Sequence, residues 1–224
     1  MAVSTTSAFS DDGRSPAVRG VLHAPASANG AAIALTHGAG GNMNAPVLVA
    51  MADALAAAGF TALRYQLPYR QARPTGPPRV GDAERDRDGI GNALASLRAA
   101  GAERIFAGGH SYGGRQTTML AADEPALAGG LLLFTYPLHP PGRAAQLRTA
   151  HFPQLRTPAM FVHGERDNFA TTAELEAAIK LIAARTAMVE VAGAGHDLRP
   201  PKRAESLEGL AARVAREFAS FVGA

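Results

Sequence analysis

Cysteine is absent from all 224 residues. That excludes a disulfide scaffold, a thiolate nucleophile and a cysteine-based zinc site. Lysine is almost absent too, occurring only at Lys180 and Lys202. The arginines that carry the remaining positive charge are scattered, with no basic stripe interleaved with aromatics, and the formal net charge is only +3. A nucleic-acid partner is therefore not expected. The first ten residues hold no basic residue and no apolar block, and no later apolar run is long enough to span a bilayer. The expectation is a soluble, cytoplasmic protein with no membrane partner. His23, His139 and His151 lack the paired spacing of metal ligands, so no metal is expected.

Apolar residues make up 47% of the chain. A chain of this length can bury one sizeable core, and a single domain over residues 1–224 is the natural expectation. Short β-like runs alternate with helical patterns, which argues for a mostly parallel sheet with helices on both faces, a three-layer α/β sandwich. The expected strands are Val18–Leu22, Ala31–Thr36, Thr61–Tyr65, Arg104–Gly108, Gly130–Thr135, Ala159–His163 and Ala187–Val191. Asp11-Asp12-Gly13 suggests a turn after a poorly defined earlier strand. Helices are expected over about 45–58, 82–100, 115–122, 171–184 and 204–221. Thr171 and Glu174 form a capping box, and Leu207, Leu210, Val214, Phe218 and Phe221 share one helical face. Residues 69–79, rich in proline and without periodicity, read as an extended surface segment. The interval between Thr135 and Ala159 leaves no room for a large helical lid.

Gly109-His110-Ser111-Tyr112-Gly113 follows the apolar run Arg104–Gly108. It reads as G-x-S-x-G, a strand ending in a turn so sharp that the serine is held out of the sheet in strained backbone geometry. Chance alone supplies about a tenth of a match in a chain of this composition, so context carries the case. An unassisted serine hydroxyl is a poor nucleophile. It needs a base, a group that orients the base, and donors for the oxyanion formed on attack.

The remaining parts occur in the order Ser, acid, His. His196, in Val191-Ala192-Gly193-Ala194-Gly195-His196-Asp197, follows the last expected strand on a flexible loop and is the candidate base. Asp167 follows the strand that ends in His163-Gly164 and is the candidate orienting acid. Glu165 competes with it, but the shorter side chain two residues further on suits the turn better. His37-Gly38-Ala39-Gly40-Gly41, straight after the strand Ala31–Thr36, is the candidate oxyanion loop, with the amides of Ala39 and Tyr112 as donors. Gly38, His110 and Tyr136 are candidate substrate contacts. The same glycines could form a nucleotide phosphate loop, but they lack G-x-G-x-x-G, and Arg64 and Tyr65 stand where an acidic residue would follow. His37 and His163 precede glycines at strand ends and read as structural hydrogen-bonding groups. Arg70, Arg73, Arg79, Arg115 and Arg143 could approach the rim of the site.

These loops resemble the α/β-hydrolase superfamily, dienelactone-hydrolase-like branch. Gly109–Arg115, Tyr136-Pro137-Leu138-His139-Pro140-Pro141-Gly142, Leu147-Arg148 and Phe161–Asp167 further resemble a group of small hydrolase-like proteins. That group includes uncharacterised bacterial members, the hydrolase-like domain of a subunit of an animal histone-acetyltransferase complex, and a testis-expressed protein. The superfamily resemblance implies a Ser–His–Asp acyl-enzyme mechanism without cofactor, carried by Ser111, His196 and Asp167. Dienelactone hydrolases proper use a cysteine nucleophile, which this chain lacks. The leading expectation is hydrolysis of small or accessible carboxylic esters. The alternatives are a thioesterase, peptidase or acyltransferase using the same three residues, or a non-catalytic interaction module that keeps the fold.

Overall fold

A computed structural model describes residues 4–201 and 203–224. Eight strands form one sheet in the order β1-β2-β4-β3-β5-β6-β7-β8. They are β1 (Thr5–Asp11), β2 (Val18–Ala24), β3 (Ala31–Thr36), β4 (Thr61–Tyr65), β5 (Arg104–His110), β6 (Leu131–Phe134), β7 (Ala159–Gly164) and β8 (Thr186–Val191). From β4 through β8 every neighbour is parallel; β1 and β2 are antiparallel additions at one edge.

Helices cover both faces, as the alternation of elements requires. On one face lie α1 (Pro46–Ala57) and α6 (Leu207–Val222), packing Leu48, Met51 and Leu55 with Val214 and Phe218 onto Ile33, Leu35 and Phe134. On the other lie α3 (Asp82–Ala99), α4 (Tyr112–Asp123) and α5 (Thr172–Ile179), whose Leu94, Leu97, Ala121 and Leu175 meet Leu63, Leu133 and Phe161. The central strands β3, β6 and β7 are buried along their full length. This is the pattern of parallel strands covered twice.

The departures from expectation have local causes. β1 is an edge strand exposed along most of its length, so it carries no apolar alternation to read. α4 begins at Tyr112 rather than Arg115, because the turn at Ser111 feeds the chain straight into a helix despite two glycines in its first turn. α5 stops at Ile179 and not Ala184; Ile182 turns back into the core and the chain returns to the sheet at Thr186. α6 starts at Leu207, where the Ser206 hydroxyl caps the Gly209 amide. The segment 69–79 divides. Residues 71–79 are largely exposed, but Pro68–Ala72 is a short helix, α2, with Tyr69 and Arg70 buried. Proline at the first helical position supplies the φ that helix initiation needs. Between β6 and β7 the only helical turn is the single 3-10 turn Phe152–Gln154, and no lid is built there. No helix among the described residues is long and apolar enough to cross a membrane.

Candidate active site

The loops leaving β3, β5, β6, β7 and β8 meet at the carboxyl edge of the sheet. At the end of β5, Ser111 has φ 49°, a left-handed conformation that costs a non-glycine residue about 1–3 kcal/mol. The turn is tight enough to exclude side chains on both sides. A Cβ on Gly109 would lie 2.7 Å from the Thr36 carbonyl oxygen, and one on Gly113 would lie 2.6 Å from that of His37. Ser111 stays in place because its amide donates to Phe134 O (2.9 Å) and its carbonyl accepts from the Arg115 amide (2.9 Å).

The Ser111 hydroxyl lies 2.8 Å from Nε2 of His196, and Nδ1 of the same ring lies 2.8 Å from Oδ2 of Asp167. The Asp167 side chain is fully buried, and its Oδ1 also accepts the Phe169 amide (2.9 Å). With the carboxylate receiving Nδ1–H, the imidazole offers Nε2 as acceptor to the serine proton. That is the geometry in which an alcohol can be deprotonated as it attacks. Glu165, the competing acid, instead accepts the Gly193 amide (2.7 Å), so it braces the loop that carries His196.

The orientation of the imidazole is fixed from three further directions. Phe169 stacks on the ring at 4.1 Å between centroids. His110 Nε2 (2.7 Å) and the Thr135 hydroxyl (3.1 Å) both donate to the backbone carbonyl of His196. Burial pushes His110 down to about 4, so the ring is neutral and keeps its single proton for that bond. Thr135 itself has φ 45°, a second strained residue beside the first.

The candidate oxyanion loop is held by several hydrogen bonds. The Gly38 carbonyl receives His37 Nδ1 (2.9 Å), the Tyr69 hydroxyl (3.2 Å) and the Gly41 amide (3.1 Å). The Ala39 carbonyl accepts from the Tyr69 hydroxyl (2.9 Å) and Arg70 Nη2 (3.1 Å), and Gly41 O accepts from Arg70 Nε (2.9 Å). In a trans peptide N–H and C=O point opposite ways. Drawing the Gly38 carbonyl toward Tyr69 therefore turns the Ala39 amide away from Tyr69. His37, pushed down to about 4 by burial, is neutral: Nδ1 donates to Gly38 O and Nε2 accepts the Leu67 amide (3.2 Å). The Tyr112 amide belongs to the first turn of α4, where N–H groups have no helical partner. Its phenol donates to Asp86 (2.8 Å), a fully buried carboxylate that also accepts the Tyr69 amide (3.0 Å). Burial raises the Asp86 pKa.

A cleft of about 340 Å³ opens over Ser111 and His196, walled by Gly38, Ala39, Pro46, Val47, His110 and Phe169. Of the expected substrate contacts, Gly38 and His110 line it. Tyr136 does not. It is 1% exposed in the core, and its hydroxyl donates to Arg148 O (2.7 Å). None of the five arginines named from the sequence lines the cleft; the arginine at its rim is Arg199. Arg73 pairs with Asp82 (2.5 Å), and Arg70 is spent on the oxyanion loop. A wider basin of about 540 Å³ beside Asn42, Gln66 and Gln71 contains none of the three relay residues.

The bracing roles of Tyr69, Asp86, Thr135 and Phe169 were not expected from the sequence, and Arg70, expected at the rim, instead holds the loop after β3. Only Tyr69 and Arg70 left a signal, their place just after β4 at the sheet edge where the other loops gather.

A mostly parallel sheet of eight strands with helices on both faces, a serine elbow after β5 and no lid defines the α/β-hydrolase class. The chain belongs to the Alpha/beta hydrolase domain family, whose model matches residues 29–223. Its fold is similar to that of an alpha-beta serine hydrolase homologue from Coxiella burnetii (19% identity, TM-score 0.76, covering 95% of this chain and 97% of that one). It is also similar to a dienelactone hydrolase from Anabaena variabilis (19%, 0.73, 97% and 98%). A third similar structure is a serine hydrolase without lid from Xanthomonas campestris (16%, 0.74, 98% and 96%).

Proposed function

We propose that the protein is a serine hydrolase that cleaves carboxylic esters of small or accessible acyl groups. The observation that carries this reading is the unbroken hydrogen-bond relay Asp167–His196–Ser111, with both links at 2.8 Å. Ser111 attacks the ester carbonyl while His196 takes its proton. The tetrahedral oxyanion is held by the amides of Ala39 and Tyr112. His196 then protonates the leaving alcohol, and a water activated by the same imidazole releases the acid. The chemistry uses only this chain's own residues. A cleft of about 340 Å³ lies at the small end of ligand sites and suits a short acyl chain. Thioesters and amides would engage the same relay, and their rates relative to esters depend on the leaving group.

A fluorophosphonate probe tests the reading. The wild type should be labelled at Ser111, and Ser111→Ala should not. His196→Ala should fold normally and lose at least about four orders of magnitude in p-nitrophenyl acetate turnover. Hydrolysis that survives both substitutions would refute the assignment.

A further inference from the structure

We infer that Arg115 and Arg148 form a second site, outside the cleft, that binds the phosphate group of a phosphate ester or of free phosphate. Nothing in the proposed ester hydrolysis uses it, and it stands or falls independently of Ser111.

The site arises where α4 packs against the chain between β6 and β7. Thr118, three residues along α4 from Arg115, donates to the Arg115 carbonyl (2.8 Å) and lies 2.9 Å from Nε2 of His151. Arg148 precedes His151 by one turn's length of chain, and its backbone is locked: its amide donates to Leu138 O (2.8 Å) and its carbonyl accepts the Tyr136 hydroxyl (2.7 Å). Tyr136 packs against Phe152, with ring centroids 5.3 Å apart. The backbone of Arg148 is thus tied to a buried aromatic base, and residues named in the sequence motif Tyr136–Gly142 and Leu147-Arg148 build the scaffold.

Among the described residues, no carboxylate pairs with either guanidinium group. Nε of Arg115 is buried and has no hydrogen-bond partner. Arg148 reaches only the Pro137 carbonyl, at 3.2 Å. No ion pair among the described residues includes either arginine. Burial, and then the charge of Arg115 nearby, lower the Arg148 pKa. His151 is pushed down to about 4 by burial and by the same Arg115 charge, so it adds no positive charge at neutral pH.

Two half-buried like charges without a carboxylate are costly to hold, and a buried N–H donor without a protein partner is a group that an oxoanion would satisfy. A guanidinium edge formed by Nε and one Nη matches two oxygens of a planar or tetrahedral oxoanion. Two such charges select a dianion over a monocarboxylate. A phosphate monoester, with a charge of about −1.5 to −2 at neutral pH, fits that requirement.

Calorimetric titration of the 224-residue chain with inorganic phosphate and with phenyl phosphate, at constant ionic strength, tests the site. Saturable binding tighter than about 1 mM is expected. Arg115→Gln and Arg148→Gln should each weaken it at least tenfold, while p-nitrophenyl acetate turnover in Arg148→Gln stays within twofold. Arg148→Lys keeps the charge and stem but loses the forked edge, and should fold and still bind more weakly than wild type. Tighter binding of phenyl phosphate would identify an ester as the ligand; equal binding would identify phosphate itself. No saturable binding by the wild type, an equal response to acetate, or binding unaltered in the arginine variants would each overturn the inference.

Discussion

Tyr69→Phe removes one hydroxyl and nothing else, yet it should slow the enzyme. The hydroxyl is shared between the carbonyls of Gly38 (3.2 Å) and Ala39 (2.9 Å), and those carbonyls set the direction of the amides that follow them. One such hydrogen bond contributes about 1 kcal/mol to stability, so the variant should fold, with a melting temperature a few degrees lower. A complete oxyanion donor is worth about 2.7–4 kcal/mol of transition-state stabilisation. Here the donor is not deleted but freed to tilt, since His37 and Gly41 still hold Gly38 O. A loss of about 1–2 kcal/mol follows, or roughly 5- to 30-fold in kcat. KM for a short p-nitrophenyl ester should move less than threefold, because the ground-state carbonyl scarcely uses the donor. Pre-steady-state acylation rates separate this from a release step. Full kcat in the variant, or a defect confined to KM, would show that the loop holds its shape without Tyr69.

Thr135→Val should lower kcat about 3- to 10-fold, roughly one hydrogen bond's worth, by releasing one of the two donors on the His196 carbonyl; an unchanged rate would mean that the loop keeps its position without Thr135. Ser111→Gly should abolish turnover but raise the melting temperature, since glycine adopts φ 49° without the roughly 1–3 kcal/mol of strain; calorimetry checks this, and a lower melting temperature would contradict it. Stability should fall with acid. His37, His110 and His151 are held near 4, against 6.5 for the free side chain. The unfolded chain therefore binds protons that the folded one refuses. Their contribution is complete above pH 6.5 and is lost as pH falls toward 4, with a slope of up to about 4 kcal/mol per pH unit for three protons. Asp86, whose pKa is raised, opposes that slope. Urea midpoints from pH 7 to 4.5 measure it, and a flat curve would refute the burial of these rings.

The central parallel strands were legible because β3, β6 and β7 are short apolar runs buried on both faces, and the three relay residues because they follow three expected strands in chain order. The edge strand β1 was not, since solvent on its outer surface removes the need for alternating apolar residues. α2 was hidden by prolines on both sides, although Tyr69 and Arg70 are among the buried residues. The braces of the site were illegible for a different reason. Asp86 meets Tyr112 across 26 positions, and Thr135 meets His196 across 61. Neither contact has a local periodicity or motif. Tyr136, by contrast, stood out as part of a distinctive segment, and its role turned out to be packing and a hydrogen bond to the chain at Arg148.

The connection from β6 to β7, with one 3-10 turn and no helical cap, bears in the proposed cycle on the fate of an acyl group attached to Ser111. No helix of that connection covers the serine, so bulk water should reach the ester as freely as any alcohol or amine. Solvent is present at far higher concentration than a competing acceptor, and capture by water becomes the default ending of each cycle. The same openness leaves no closing motion to wait for, so turnover of activated esters should be set by bond making and breaking and be insensitive to solvent viscosity.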